Sequence, residues 1–399
     1  MLNNRMKAKA AIVFLISTIF FWAACSKSPK TSPKTVTTTP TTPVVVTPGP
    51  PLPNTVDKTD TLKVMAYNVL SYGDLCQGST STLNGYFKTI IQYAQPDLLS
   101  CEKMNAFSLS SSLPNNLADN IRDSVLNTVF PGRFAIATPT NTADGSNMSV
   151  LFYNKQKLTY VKTEVLYPYI TDFDLYKLYY NDPNLAITHD TTYLYVVVNH
   201  TQSGTPSTTR DMQVSTYMAT LRAKFAYFPN LINMGDFNTA NSYEAGYQSV
   251  ITSTDTSKQM SDPPFYPDQT VKYPAEWEDN SSSYASQLTT TTRALATVPN
   301  SCGTSGGAKS WYDHIFISPW LVKGSNYISY IPNSYTTIGN DGKRIGVDIN
   351  STTPQVNTSA PAAVINALWQ FSNKYPVSIK LLIKANRNAY SIADPTEKN

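Results

Sequence analysis

The sequence predicts one α/β domain with a mixed sheet, preceded by a targeting segment and a linker. From residue 61 onward, short apolar runs typical of strands alternate with segments whose apolar residues have helical spacing. Some strand pairs are separated by turns of hairpin length, which adds antiparallel pairing to the sheet. The 399 residues contain no internal repeat, so nothing indicates a solenoid.

The composition excludes several classes of protein. Hydrophobic residues make up 41% of the chain and the net charge is only +4, which excludes a disordered protein. Four cysteines are too few for a scaffold built on disulfides. Neither the small net charge nor any cluster of Lys and Arg indicates a dedicated nucleic-acid binder.

The N-terminus has the pattern of a secretory signal peptide over residues 1–24. Basic residues within the first nine positions precede an apolar stretch at 10–22, which is shorter than the roughly 17–25 residues of a transmembrane helix. Small residues then lead to Cys25, in an arrangement that resembles the lipobox of bacterial lipoproteins, whose cysteine is diacylated and becomes the mature N-terminus. We therefore expect a lipid-anchored protein of the bacterial cell envelope, on the outer membrane or cell surface; the alternative is an ordinary signal peptide with a chance cysteine.

Residues 25–60 are rich in Pro and Thr and predict an extended linker, so that the folded domain would cover residues 61–399. In an oxidising compartment one disulfide can form among the three remaining cysteines. Cys76 and Cys302 lie in polar segments and are the better pair. Cys101 lies in the apolar segment PDLLSCE, where we expect a buried free thiol.

The elements of the domain follow in order from the apolar pattern. Strands are predicted at residues 62–70, 97–102, 134–137, 148–153, 193–199, 231–234, 311–317 and 377–383, and helices at 83–94, 117–129 and 210–224. Residues 241–310 are rich in Ser, Thr, Pro and Tyr and predict a long loop region that sets specificity.

Polar residues stand where these strands end or begin. They are Asn68, Glu102, His200, Asp236, Asn238 and Asp313. Taken singly, an Asn or Asp after a strand is usually a turn residue or a helix cap. As a set they can project from one rim of a sheet, where Glu102 with Asn68 or Asp313 would suffice to hold Mg²⁺. One imidazole among them suits proton transfer or stabilisation of an oxyanion.

Six short motifs occur in an order that resembles the endonuclease/exonuclease/phosphatase superfamily, the metal-dependent phosphoesterases related to DNase I and to sphingomyelin and inositol-phosphate phosphatases. The motifs are VMAYNVL, PDLLSCE, GSNMSVLFYN, VVVNHTQSG, GDFN and WYDHIFIS. They span about residues 62–382. Cys101 stands where the superfamily usually has Gln, and Trp311 stands where it has Arg.

The resemblance implies a four-layer α/β/β/α sandwich of the DNase I type and hydrolysis of a phosphoester with Mg²⁺ or Mn²⁺. It also implies a role for each motif residue. Glu102 would be the principal metal ligand and Asn68 a supporting one, His200 would contact the scissile phosphate, Asp236 would orient or activate water, Asn238 would hold phosphate or metal, and Asp313 would join the metal or histidine network. Positioning and charge neutralisation do most of the work in such chemistry.

The last motif departs from the superfamily, whose Asp-His pair is replaced here by Asn373-Lys374 in SNKYPVSIKL. Lys has a reference pKa near 10.4 and is a poor base, but Lys374 can neutralise a phosphate as a point charge, with Asn373 beside it. The two other histidines do not fill the gap. We expect His189 to begin a strand, and His314 to face away from the side of the strand that carries Asp313.

Two hypotheses about function remain open. The first is a surface-anchored metal-dependent phosphoesterase that acts on a phosphorylated substrate of unknown class, for which nucleic acid is less favoured by the small charge. The second is a catalytically impaired binding protein on the same fold, which the Asn373-Lys374 pair favours. In both, the protein would meet the membrane through its lipid anchor.

Overall fold

A computed structural model of the chain describes residues 50–107, 116–265, 277–278, 281–296 and 302–388. The predicted signal peptide, Cys25 and most of the predicted linker lie outside the described residues. No helix in the described part of the chain is both long and apolar enough to cross a bilayer.

Strands and helices alternate along the described part of the chain. In chain order they are β1 Thr59–Tyr72, α1 Thr80–Ala94, β2 Leu98–Asn105, α2 Leu117–Ile121, α3 Asn127–Val129, β3 Phe134–Ile136, β4 Asn147–Asn154, β5 Leu158–Tyr169, β6 Thr171–Tyr180, α4 Leu185–Thr188, β7 Tyr193–His200, α5 Thr208–Lys224, β8 Leu231–Asp236, α6 Ala245–Ile251, β9 Asp313–Ile317, α7 Pro319–Lys323, β10 Ile328–Tyr330, β11 Thr336–Thr337, α8 Ala362–Phe371 and β12 Val377–Lys384. A π-helical turn at Arg122–Leu126 joins α2 to α3.

The strands form two sheets. The first has the order β10-β12-β1-β2-β4-β3, with β11 also pairing with β12, and the second has the order β5-β6-β7-β8-β9. Parallel pairing occurs at the centre of each sheet, between β1 and β2 and between β7 and β8, and the other pairs are antiparallel. The mixed sheet predicted from the sequence is therefore two mixed sheets.

The two sheets pack face to face, and helices cover both outer faces. Alternate residues of the central strands, such as Val64 of β1 and Val196 of β7, belong to one apolar core between the sheets. On the outside, Phe87 of α1 and Phe371 of α8 stack with ring centroids 4.5 Å apart above the first sheet. Helix α5 covers the outer face of the second sheet through Tyr217. The predicted four-layer sandwich is therefore confirmed.

Every strand and helix predicted from the apolar pattern is present, with ends shifted by a few residues. The hairpin β5–β6 and helix α8 were not predicted. Strand β1 begins at Thr59, and the Leu52 amide already donates to the Arg387 carbonyl (2.8 Å), so the packed chain begins before residue 61. The segment 241–310 is more than a loop, because it contains α6 and the fully buried Trp277.

The expectation that His189 begins a strand is wrong. His189 ends helix α4 in a left-handed conformation, with φ of 53°, and its amide donates to the Leu185 carbonyl. The disulfide expectation is confirmed, since Cys76 is bonded to Cys302 with their Cα atoms 5.8 Å apart. Cys101 is buried and free, as expected.

Candidate active site

The carboxyl ends of β1, β2, β7 and β8 meet at one rim of the sandwich. Asn68 is opposite Glu102 in the parallel pair β1–β2, and His200 is opposite Asp236 in the parallel pair β7–β8. Asp313 is opposite Asp236 across β8–β9. The strand ends therefore bring these residues into one cluster. Asn68, His200, Asp236 and Asn238 line a cavity of about 730 Å³, which we call the rim cavity, whereas Glu102 and Asp313 are buried and do not line it.

Asp236 lies at the centre of this cluster. Its Oδ2 accepts a hydrogen bond from Asn68 Nδ2 (2.9 Å) and lies 3.0 Å from Lys374 Nζ, while its Oδ1 accepts the Asn238 amide (3.0 Å). Burial alone would raise the pKa of Asp236, but the Lys374 ammonium, His200 and the hydrogen bonds outweigh burial and lower the pKa to about 2. Asp236 is therefore ionised at neutral pH.

Glu102 and Asp313 are buried carboxylates of a different kind. Both are fully inaccessible, and no hydrogen-bond donor among the described residues satisfies either oxygen of either side chain. Burial, the largest effect, raises the pKa of both groups well above their usual range; the charges of neighbouring carboxylates add to this, while the Ser100 hydroxyl near Glu102 and the Thr289 hydroxyl near Asp313 oppose it. Unpartnered buried carboxylates are costly, and a bound cation would relieve that cost.

His200 lines the cavity as a neutral imidazole. Burial lowers its pKa to about 4, and the nearby Lys103 and Lys374 ammonium groups act in the same direction, against Asp236. Its Nδ1 has no hydrogen-bond partner among the described residues. A neutral imidazole with an unused ring nitrogen can donate to or accept from a bound phosphate oxygen.

Asn68 and Asn238 are held by the backbone around them. Asn68 Oδ1 accepts the Leu70 amide (2.9 Å), so both ends of its amide group are used and its structural role is to position Asp236. Asn238 has φ of 49° and donates through Nδ2 to the Thr201 carbonyl (2.9 Å). Gly235 of the GDFN motif has φ of 138°, and a Cβ there would lie 1.9 Å from the Asn199 carbonyl oxygen.

Asn373 and Lys374, which stand where the resemblance would place an Asp-His pair, line the cavity. The Asn373 amide donates to Thr304 Oγ1 (2.9 Å), in the loop that begins at the disulfide. Lys374 Nζ lies 4.7 Å from the centroid of the Tyr312 ring as well as beside Asp236. The chain thus puts a fixed ammonium where an imidazole was expected from the superfamily pattern.

Lys103 is a site residue that sequence reasoning missed. It follows Glu102 with φ of 55°, at a register shift in the pairing of β2 with β4, and it lines the cavity. Burial, and next the charge of Lys374, lowers its pKa. Its position next to Glu102 was visible in the sequence, but a left-handed turn inside a strand was not.

His314 has a structural role on the other face of β9, as expected. It is fully buried, its Nδ1 lies 3.0 Å from Asp262 Oδ2, and it packs against Trp311 with ring centroids 4.5 Å apart. The side of β9 that carries Asp313 faces the cluster, and the side that carries His314 faces the helices.

The residues of this cluster suit an ion such as Mg²⁺, which keeps several waters, rather than an ion that needs several protein ligands close together. In the described part of the chain, the only three Asp, Glu, His or Cys with ligand atoms within 4.8 Å of one another are Asp74, Cys76 and Cys302, and two of these form the disulfide. Mg²⁺ keeps several waters and needs only one or two carboxylates besides phosphate oxygens. The two unpartnered oxygens of Glu102 meet that requirement.

Comparison with known proteins gives similarity of structure only. No protein-family model matches the sequence, and no curated protein matches it. Similar solved structures include D. rerio TDP2 complexed with single-strand DNA product (TM-score 0.48, 12% identity, 80% of this chain and 98% of that chain). Others are the human Nocturnin catalytic domain with bound sulfate (0.46, 13%, 82% and 96%) and an endonuclease/exonuclease/phosphatase family protein from Bacteroides thetaiotaomicron (0.44, 14%, 82% and 99%). The two stacked sheets with helices on both outer faces agree with the four-layer DNase I-like fold expected from the ordered motifs.

Proposed function

We propose that this protein is a divalent-metal-dependent phosphoester hydrolase that acts at the rim cavity. The observation that carries the proposal is the Glu102 carboxylate, whose two oxygens are buried without a partner among the described residues, beside the ionised Asp236 and the neutral His200. Glu102 would hold Mg²⁺ or Mn²⁺, with the nearby Asp313 adding negative charge. Bound there, the metal would supply Lewis-acid shielding of the phosphate oxygens and a lowered pKa for water.

The chain's own residues orient the phosphate. His200 can donate a hydrogen bond to a phosphate oxygen while it stays neutral, and Lys103 and Lys374 supply positive charge at the wall of the cavity. Asp236 is held in place by Asn68 and Lys374. With a pKa of about 2 it is a weak base, so it would orient the attacking water by accepting a hydrogen bond rather than take its proton at the start.

The second candidate is a phosphate-binding protein without turnover, and the Asn373-Lys374 pair favours it. Lys374 already forms an ion pair with Asp236 at 3.0 Å. Its ammonium group therefore balances part of the negative charge that a bound metal would otherwise balance. Loss of a general acid/base typically costs 10²–10⁴-fold in rate. Slow hydrolysis and binding without hydrolysis are the two outcomes to separate.

The experiment is an assay of the full chain with Mg²⁺ or Mn²⁺ on bis-nitrophenyl phosphate, plasmid DNA and a panel of sphingomyelin and phosphoinositides. Turnover that is lost in Glu102→Gln and kept in Glu164→Gln, a carboxylate on β5 paired with lysines, supports the hydrolase. No turnover above the Glu102→Gln background would overturn it. The double variant Asn373→Asp/Lys374→His should raise the rate, by about 10²-fold or more if the restored pair acts as acid and base.

The lipid anchor is a separate part of the proposal. We infer from the lipobox-like segment that Cys25 carries acyl chains and attaches the protein to the bacterial envelope. Mass spectrometry of the mature N-terminus should find acylated Cys25. An unmodified terminus further along the chain would contradict the anchor and leave the hydrolase proposal unaffected.

A further inference from the structure

A second pocket opens on the outer face of the first sheet, at the end where β1 and β2 begin. We call it the basic pocket. It has a volume of about 490 Å³ and is lined by Thr61, Lys63, Gln95, Asp97, Arg133, Lys157, Ile331 and Lys380. Lys63 precedes Asn68 on β1 by five residues, which is roughly 16 Å along a strand, so the basic pocket is distinct from the rim cavity.

Two lysines of the basic pocket are held side by side by the sheet. Lys63 of β1 and Lys380 of β12 are direct partners in the antiparallel ladder, so their side chains leave the sheet on the same face. Like charges directly opposite each other destabilise a sheet. Burial, and next the charge of Lys380, lowers the pKa of Lys63. The fold accepts this repulsion at one point of the β1–β12 pair.

The carboxylates near the pocket are already engaged. Asp97 accepts the Lys63 amide (3.1 Å), Asn154 Nδ2 (2.8 Å) and Lys157 Nζ (3.1 Å). Lys157 also lies 3.1 Å from Asp60. Lys157 is therefore balanced by two carboxylates, and Asp97 already accepts three hydrogen bonds.

The other cations of the pocket are less well compensated, although the negative charge of Asp97 acts on Lys63 and partly opposes the lowering of its pKa. Lys63 Nζ donates to the Ala94 carbonyl (2.7 Å) at the end of α1, which is a neutral acceptor. Neither Arg133 nor Lys380 has a carboxylate within 4.0 Å among the described residues. The Arg133 guanidinium lies 4.3 Å from the centroid of the Phe130 ring, which orients it without neutralising it.

We propose that the basic pocket binds a phosphate or sulfate group. Arg133 offers a planar pair of donors that matches two oxygens of a tetrahedral anion, and Lys380 and Lys63 offer charge on the other side of the same concave space. A free anion and a phosphate carried on a lipid headgroup present this same chemistry. The inference rests on the outer face of the first sheet and is independent of the proposed hydrolase activity.

The test uses the reactivity of individual lysines in the full chain, because the rim cavity also contains lysines and would confuse a bulk binding measurement. An amine-acylating reagent is applied in chloride, in inorganic phosphate and in sulfate at equal ionic strength, and each lysine is quantified by mass spectrometry. Acylation of Lys380 should slow about fivefold in phosphate when some four-fifths of the sites are filled. Lys384, exposed on the same face of β12 and outside the pocket, is the internal control.

Vesicles of phosphatidic acid and of phosphatidylcholine form the second arm of the test. Protection of Lys380 by soluble phosphate or sulfate identifies a free anion as sufficient, and protection by phosphatidic acid vesicles alone identifies a headgroup. Equal slowing of Lys380 and Lys384 under all conditions would mean charge screening only and would overturn the proposal, as would no slowing at all.

Arg133→Gln is the decisive variant. It should leave the acylation rate of Lys380 in chloride unchanged, which shows that the fold is intact, and abolish most of the protection by the anion. Undiminished protection in Arg133→Gln would contradict an anion site built on the basic pocket.

Discussion

The rim gathers buried carboxyl groups from both sheets, whereas the basic pocket at the other end of β1 gathers cations. At the rim, Glu102 and Asp313 are buried without partners among the described residues, and Asp236 is balanced by Lys374. At the other end, Lys63 and Lys380 are paired across β1 and β12. The unpartnered groups differ in kind, buried carboxyl groups at the rim and cations at the basic pocket, and they indicate the ligand that we expect at each end, a cation at the rim and an anion at the basic pocket.

The largest effect should come from removing the charge of Glu102. Glu102→Gln should lower phosphoesterase activity by on the order of 10³-fold, since the group that holds the metal is lost. The rise in melting temperature that Mg²⁺ or Mn²⁺ gives the wild-type chain should disappear in the same variant. Protection of Lys380 by phosphate should be unchanged. A variant that still gains stability from Mn²⁺ would show that the cation binds elsewhere.

The fold of this rim was largely predictable and its chemistry was partly so. The buried parts of β1, β2, β7 and β8 are short apolar runs that lead to Asn68, Glu102, His200 and Asp236, so the pattern shows both the strand and its functional residue, although β1 and β2 continue beyond it. The hairpin β5–β6 was missed because much of β5 is only partly buried and its sequence, which mixes Tyr and Thr with Val, Leu and two charged residues, lacks a clear apolar face.

Two features of the sites depend on contacts that no single segment shows. Lys103 turns toward the cavity only because it takes a left-handed conformation at a register shift. Lys63 and Lys380 are 317 positions apart and meet only through the ladder of β1 with β12. The sequence contained the lysines, but their pairing is a property of strand register.

Lys374 gives the second prediction. Its replacement should make the metal-free protein less stable and should make Mg²⁺ bind more tightly. Lys374→Gln leaves Asp236 buried without its ion-pair partner, and should lower the free energy of unfolding without metal by about 3–5 kcal/mol. Removal of a competing cation should at the same time tighten Mg²⁺ binding. Urea unfolding with and without Mg²⁺ measures both effects.

Lys309→Gln is the matched control for Lys374→Gln, since Lys309 is exposed in the nearby loop. Weaker Mg²⁺ binding in Lys374→Gln would show that the lysine supports the metal rather than competes with it. That result would contradict the view that Lys374 takes the place of a cation at the rim.

The disulfide gives a third prediction, confined to the rim. Cys76→Ser/Cys302→Ser removes a link between segments 226 positions apart, and should lower the free energy of unfolding by about 2–5 kcal/mol. The loop that carries Gly303 and Thr304 would lose its tether beside Asn373, so activity should fall too. Phosphate protection of Lys380 should stay as in the wild type, and a loss there would mean that the two ends are coupled.

The smallest effect should come from Lys380→Gln, and its sign should depend on the anion present. In chloride the variant relieves the repulsion from Lys63 and should be more stable than the wild type by about 0.2–1 kcal/mol. In phosphate the wild type gains binding free energy that the variant loses, so the order of stabilities should reverse. Lys384→Gln, four residues along the same face of β12, should show no reversal. If Lys380→Gln is destabilised equally in both buffers, the lysine pair is an ordinary surface feature, and only the rim contains unpartnered groups that a ligand would satisfy.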